Sequence, residues 1–231
     1  MRDPTSATGE PLLIGLATMA RQLLERPDLE TTLEVVVAMA PTLVTGCDHS
    51  SITMSRRKQA ITAAGDDIAT RADHLQYDLN EGPCLDAFKH DAVLSNDLSS
   101  DHRWPRWGPE AAQGTGVRSV LSLRLYAAGR SFGSLNLYAT HRQAYDAQAS
   151  INALVLATHA TVAIAHVRTK TNLETSLDTR TVIGQACGIM MERYQLTPTM
   201  AFDLLVRLSQ TSNTKLQVIA NQIVGTRKLP R

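Results

Sequence analysis

Residues 180–194, RTVIGQACGIMMERY, followed by AFDLLVRLSQ at 201–210 and TSNTKLQVIANQIV at 211–224, decide how the rest of the chain is read. As a helix, the first stretch places Ile183, Ala186, Cys187, Met190 and Tyr194 on one face at 3.6-residue spacing, with Gly184 and Gly188 beside that face. An interior Gly costs a helix about 1 kcal/mol relative to Ala, so two of them one turn apart imply that another backbone approaches closely. Downstream, Thr197 and Pro198 supply a cap and a first helical position, and Ala201, Phe202, Leu205 and Leu208 then share a face. Asn213 or Thr214 caps a last helix, Thr214 and Gln217 have the spacing of a capping box, and Leu216, Ile219, Ala220, Ile223 and Val224 recur at helical intervals. Three short amphipathic helices, none stable alone, close on each other as a small bundle.

Working outward, the chain of 231 residues is long enough for two unequal domains. We expect a flexible terminus at 1–10, a sheet-containing domain over 11–168 and the helical domain over 169–231. Apolar residues recur at helical spacing from Pro11 to Pro27 and again from Asp28 to Leu43, where Leu33, Val36, Val37, Ala40 and Leu43 form the inner face. The period changes after Gly46. HSSITMSR and QAITAAGD read as two strands joined by a basic turn at 56–58, residues 66–80 as a helix or lid, and AVLSNDL as a further strand. VRSVLSLRLYA at 117–127 faces FGSLNLYAT at 132–140 across AGRS, a hairpin at the edge of the core whose Leu121, Leu123 and Leu125 alternate with Ser122 and Arg124. From Tyr145 a helical period returns and runs for about fifty residues. The class is α+β.

Charge is unevenly divided. Residues 170–231 hold eight Lys/Arg against four Asp/Glu, a net of +4, while residues 1–169 hold fifteen against eighteen, a net of −3. The basic character lies at the C-terminal end, and its net of +4 is modest for nucleic-acid binding, though a dimer doubles it. Cys47, Cys84 and Cys187 fit neither a disulfide framework nor a zinc spacing, and the seven histidines form no HExxH, so no metal and no cofactor is expected. There is no signal-peptide pattern and no unbroken apolar run of eighteen residues, so the expectation is a cytoplasmic protein with no membrane partner. The absence of GxSxG and of GxxxxGK[ST] argues for a binding protein rather than an enzyme.

Arg180-x-x-Ile183-Gly-Gln-Ala186-Cys-Gly188-Ile-Met-Met191, then Ala201-Phe202-x-x-Leu205-x-x-x-Ser209, then Asn213-x-Lys215-Leu216-x-x-Ile-Ala220 resembles the ANTAR domain, the RNA-binding module of transcription antiterminators. Upstream, EGPCLDAF, DHRWP, GVRSVLSLRL and GSLNLYA resemble a GAF domain of the kind joined to ANTAR domains in actinobacterial regulators. The resemblance implies an antiparallel five- or six-stranded sheet flanked by helices, a long connector helix prone to form a homodimer, and a three-helix bundle that binds paired RNA hairpins. Its structural core would comprise Ile183, Ala186, Gly188, Met190, Ala201, Phe202, Leu205, Leu216 and Ala220. Two positions depart from the family: Cys187 stands where many members carry Lys, and Gln217 where a basic residue is frequent.

RNA loops are recognised through phosphates and unstacked bases, by Lys or Arg for the first and short polar side chains for the second. Arg180, Arg207, Ser209, Gln210, Asn213 and Lys215 supply that mixture, although a solvated helix face or a helix cap accounts for each one separately. Cys84, set behind Gly82-Pro83, reads either as a reactive thiol or as a buried core residue, the commoner role of free Cys. Trp104 and Trp107 read equally as walls of a sensor pocket for a small-molecule or protein input, or as core. The rivals to RNA binding are a DNA-binding transcription factor, against which the last helix offers only Lys215 at its start, and a redox enzyme using Cys84.

Overall fold

A computed structural model describes residues 9–56 and 59–228. Of the expected flexible terminus, residues 1–8 lie outside the described residues, and residues 9 and 10 already belong to a helix; of the basic turn, residues 57–58 lie outside as well. The chain forms two compact units, Met1–Arg168 and Thr169–Arg231.

In the first unit, helices α1 (Gly9–Leu24) and α2 (Leu29–Leu43) precede strands β1 (His49–Arg56) and β2 (Gln59–Ala64). Helices α3 (Asp67–Leu79) and α4 (Pro83–Asp86), strand β3 (Ala92–Ser95) and helix α5 (Trp107–Thr115) follow. The hairpin β4 (Ser119–Ala127) and β5 (Arg130–Ala139) then leads into α6 (Ala147–Tyr194), a helix of 48 residues. Local chemistry fixes the boundaries: the carboxylates of Asp28 and Asp66 accept the Thr31 and Ala69 amides, both at 2.9 Å, and so cap α2 and α3. Ala128 and Gly129 take φ of 50° and 76°, the left-handed pair that a two-residue hairpin turn requires.

The five strands form one antiparallel sheet in the order β2-β1-β5-β4-β3. Strand alternation sorts its two faces. Ile52, Met54, Leu121, Leu123, Leu125, Leu135 and Leu137 point to one side, where they pack with Leu33, Val36, Val37 and Ala40 of α2 and with Ala153, Leu156, Ala160 and Ile164 of α6. Ser51, Thr53, Ser122, Ser134, Asn136 and Tyr138 occupy the other face, and every one of them is fully buried. The hairpin is therefore central and covered on both sides, not a half-buried edge. The sequence pattern separates a polar from an apolar face, but it does not reveal that α3 lies over the polar one.

In α6 an 18-residue window reaches a mean hydropathy of 1.5, enough by length and composition for a membrane span, where the sequence suggested none. Ala149, Ala153, Leu156, Ala157, Ala160 and Ile164 of this helix are instead core residues beneath the sheet.

The second unit combines the C-terminal part of α6 with α7 (Pro198–Thr211) and α8 (Leu216–Thr226). Ala186, Met190, Ala201, Leu205, Ile219, Ala220 and Ile223 form its core, with Ile183 and Leu216 half-buried at the margin. Phe202 and Tyr194 do not join it, being 45% and 41% exposed, because three short helices bury only a narrow stripe centred on Ala201, Leu205 and Met190. Gly184 and Gly188 are also exposed, and among the described residues a Cβ on either would meet nothing within 4 Å, so the expected close backbone is not found there. The expected capping box does not form: Thr214 Oγ1 donates to the Ser212 carbonyl at 3.1 Å, and Lys215 occupies the cap position without a side-chain cap.

Gly133 is where the sheet tolerates least change, since a Cβ there would lie 2.0 Å from the Thr53 carbonyl oxygen and 3.0 Å from Met54 Cα. Gly133→Ala should force β1 away from β5 and destabilise the first unit by about 1–3 kcal/mol or more, read as a fall in the urea midpoint. An unchanged midpoint would show that β1 shifts without cost.

Candidate nucleic-acid interface and sensor face

The polar face of the sheet is organised around Asp73 of α3. Tyr138 Oη donates to Asp73 Oδ1 at 2.5 Å, Asn136 Nδ2 donates to the same oxygen at 3.1 Å, and Thr53 Oγ1 donates to Oδ2 at 3.2 Å. The network extends outward, with Gln76 Nε2 donating to Tyr138 Oη at 2.9 Å and the Cys84 amide donating to Gln76 Oε1 at 2.7 Å. Gly82 makes room for that last bond: its φ is 136°, and a Cβ would sit 2.3 Å from Gln76 Oε1. Asp73 is wholly buried, and loss of hydration pushes its carboxyl above the usual range despite the hydrogen bonds it receives. Asn136 Oδ1 and Ser122 Oγ, on paired positions of β5 and β4, are buried without a hydrogen-bond partner among the described residues.

Cys84 sits at the margin of this network, buried, with its Sγ 3.1 Å from Ser134 Oγ and 3.8 Å from Tyr77 Oη. Burial pushes its thiol up, opposite to what a nucleophilic thiolate requires, and α4 is a single turn. The tryptophans are core residues, 2% and 0% exposed. Trp104 and Trp107 pack edge to face at 5.6 Å in a second core beneath α3 and α5, their indole N–H groups donating to Asp86 Oδ2 at 2.8 Å and to the Ala72 carbonyl at 3.1 Å. The sensor residues singled out in the sequence thus divide: Cys84 adjoins the polar network, and the tryptophans belong to the core. Asp73, Asn136 and Gln76 were missed, because single polar residues within a helix and a strand carry no local signature of their partnership.

In the second unit, the connection between α7 and α8 gathers four of the six predicted RNA contacts. Ser209 Oγ donates to the Thr214 carbonyl at 2.6 Å, and the Thr214 amide returns to the Ser209 carbonyl at 3.0 Å. Asn213 takes φ 49°, a left-handed conformation that Asn tolerates, and its amide donates to the Gln210 carbonyl at 3.3 Å. This turn leaves Gln210, Asn213 and Lys215 exposed side by side, with Arg207 exposed one turn earlier on α7. Arg180, also exposed, lies apart on α6. Among the described residues none of these cations makes an ion pair.

Two further cations passed unnoticed in the sequence. Arg193, in the last turn of α6, donates through its guanidinium to the carbonyl of Arg227, which ends α8 at φ 54°. They border a groove of about 600 Å³ between α6 and α8.

The family comparisons agree with this architecture. A model described as GAF domain matches residues 27–165, and one described as ANTAR domain matches residues 171–224. The first match spans more than half of the chain, which belongs to the GAF domain family and carries an ANTAR domain at its C-terminal end. The chain is thus a GAF–ANTAR regulator, a sensory domain joined to an output domain.

Solved structures resemble the first unit in fold. The GAF domain of a phosphoenolpyruvate-protein phosphotransferase from Coxiella burnetii is 17% identical, with a TM-score of 0.56 over 71% of this chain and 98% of that one. The corresponding domain from Acinetobacter is 15% identical, with a TM-score of 0.52 over 70% and 97%. Free methionine-R-sulfoxide reductase from Neisseria meningitidis is 16% identical, with a TM-score of 0.52 over 74% and 95%. No curated protein matches the chain.

Because the folded state holds the Asp73 proton above the ordinary carboxyl range, this residue's contribution to stability is full below about pH 3.9 and is lost as pH rises through the folded value. Asp73→Asn cannot ionise and keeps an acceptor for Tyr138, so its melting temperature relative to wild type should rise progressively as pH increases above about 4. A difference that stays constant across that range would contradict the assignment.

Proposed function

We propose that this protein is a cytoplasmic, homodimeric regulator of transcription antitermination, in which the GAF domain controls an ANTAR bundle that binds tandem RNA hairpins in leader or nascent transcripts. The observation that carries this reading is the α7–α8 turn, where Gln210, Asn213 and Lys215 stand exposed together beside Arg207 in a segment of net charge +4. Lys215, Arg207 and Arg180 serve phosphates, while Gln210 and Asn213 offer amides to base edges. Ser209 holds the turn that presents them, since its hydroxyl is occupied by the Thr214 carbonyl. Output is binding rather than catalysis.

A homodimer fits the back of α6. Leu173 and Leu177 are 60% and 53% exposed, and with the open Gly184 they fall within about 40° of the point opposite Ala186, at about 100° per residue. The close backbone approach that Gly184 allows is then made by a second copy. Two copies double the positive charge and provide the two surfaces that a pair of hairpins needs. On the input side, the unpartnered Asn136 Oδ1 and Ser122 Oγ suit a small polar ligand, and an input that alters the pairing of two α6 helices changes the separation of the bundles.

The test is binding at about 0.15 M salt to RNA carrying two hairpins, one hairpin or a plain duplex, with duplex DNA as competitor. Two hairpins should bind tightest and DNA should not displace them. Arg207→Gln and Lys215→Gln should each weaken binding and reduce the slope of log K against log salt by about 0.7–0.9. Equal binding of two hairpins and plain duplex would refute the proposal.

A further inference from the structure

We infer that the groove between α6 and α8 bordered by Arg193 and Arg227 is a second RNA surface of the ANTAR bundle, one that holds stem phosphates while the α7–α8 turn takes the loop. It rests on the RNA-binding function proposed above and assigns a part of the RNA to residues outside the turn.

The first support is charge. The bond from the Arg193 guanidinium to the Arg227 carbonyl fixes the two residues side by side, and the Arg227 amide donates to the Ile223 carbonyl at 2.7 Å, anchoring its backbone. Both arginines line the groove, so an anion inside it is attracted by two positive charges. Glu192 also borders the groove, yet among the described residues neither arginine makes an ion pair with any carboxylate. The bond to Arg227 leaves Arg193 with N–H donors to spare out of the five that a guanidinium carries, and Arg227 contributes only its carbonyl, so both side chains retain donors.

The second support is shape. Gly188 lines the same groove, and nothing lies within 4 Å of where its Cβ would be. A bare stretch of helix backbone in the lining admits a sugar–phosphate strand more closely than any other residue would allow. Gln185 is the one uncharged polar side chain in the lining, so the groove has little with which to read base edges. Lys215 and Arg227 bracket α8, and twelve residues at about 1.5 Å each put them about 18 Å apart. A separation of several base steps assigns them to different parts of one hairpin.

The experiment measures binding of the full chain to two-hairpin RNA and to the same RNA with scrambled loops, across a salt series. Arg227→Gln is the first variant because the Arg193 bond uses only the Arg227 carbonyl. It should weaken both RNAs by the same factor, on the order of threefold to tenfold, and lower the salt slope by about 0.7–0.9. Arg227→Lys, which keeps the charge, should keep the slope, and Arg193→Lys should do likewise. Should Arg227→Gln not fold, retention of the slope by both lysine variants together with its loss in Glu-substituted Arg193 decides the matter. Wild-type affinity and slope in Arg227→Gln would overturn the second surface while leaving RNA binding intact. A loss confined to the intact loops would overturn the assignment to stem phosphates, and failure of the wild-type chain to prefer hairpin RNA would overturn the proposed function as well.

Discussion

A sheet buried on both faces needs partners for the polar side chains it carries inward, and the carboxyl of Asp73 is the group that supplies most of them here. It accepts from Tyr138, Asn136 and Thr53, drawing β1 and β5 to α3, and Gln76 passes the same network on to the amide of Cys84 in α4. An apolar covering for that face would fold as well or better, since buried polar networks seldom add net stability over hydrophobic packing. A polar interior with unpartnered Asn136 Oδ1 and Ser122 Oγ is instead suited to changing state when the chemistry inside it changes.

The second unit works under a different constraint. Its fully buried core is seven small or medium side chains around Ala186 and Met190, ringed by residues such as Ile183, Leu208 and Leu216 that are only partly buried. That thinness leaves Phe202, Leu173 and Leu177 on the surface and presents the α7–α8 turn and the arginine pair at the two ends of α8. A bundle of this kind holds little of its surface in reserve for stability and offers most of it to partners.

How much of this was legible follows from the range of each signal. Thr197 with Pro198, the buried positions of α2 and the period of α8 are local patterns, and the elements formed where those patterns placed them. The environment of β4 was not, because alternation distinguishes two faces without saying whether water or α3 covers the polar one. Phe202 fits the helical period and still lies outside the core, since the width of the buried stripe depends on how many helices share it. That the two tryptophans belong to the core was open for a related reason: their partners, Asp86 and Ala72, are distant in sequence. The spacing of Gly184 and Gly188 implies a close backbone, yet among the described residues nothing lies within 4 Å of a Cβ on either. Arg193 and Arg227, separated by 34 residues, become a pair only in the folded bundle.

Whether the basic bundle binds structured RNA, as proposed, is decided by sequencing the RNA crosslinked to this protein inside its own host. Reads should concentrate on transcripts that carry two adjacent hairpins ahead of a competing terminator. Reads spread over unstructured RNA, or no enrichment above an uncrosslinked control, would contradict it.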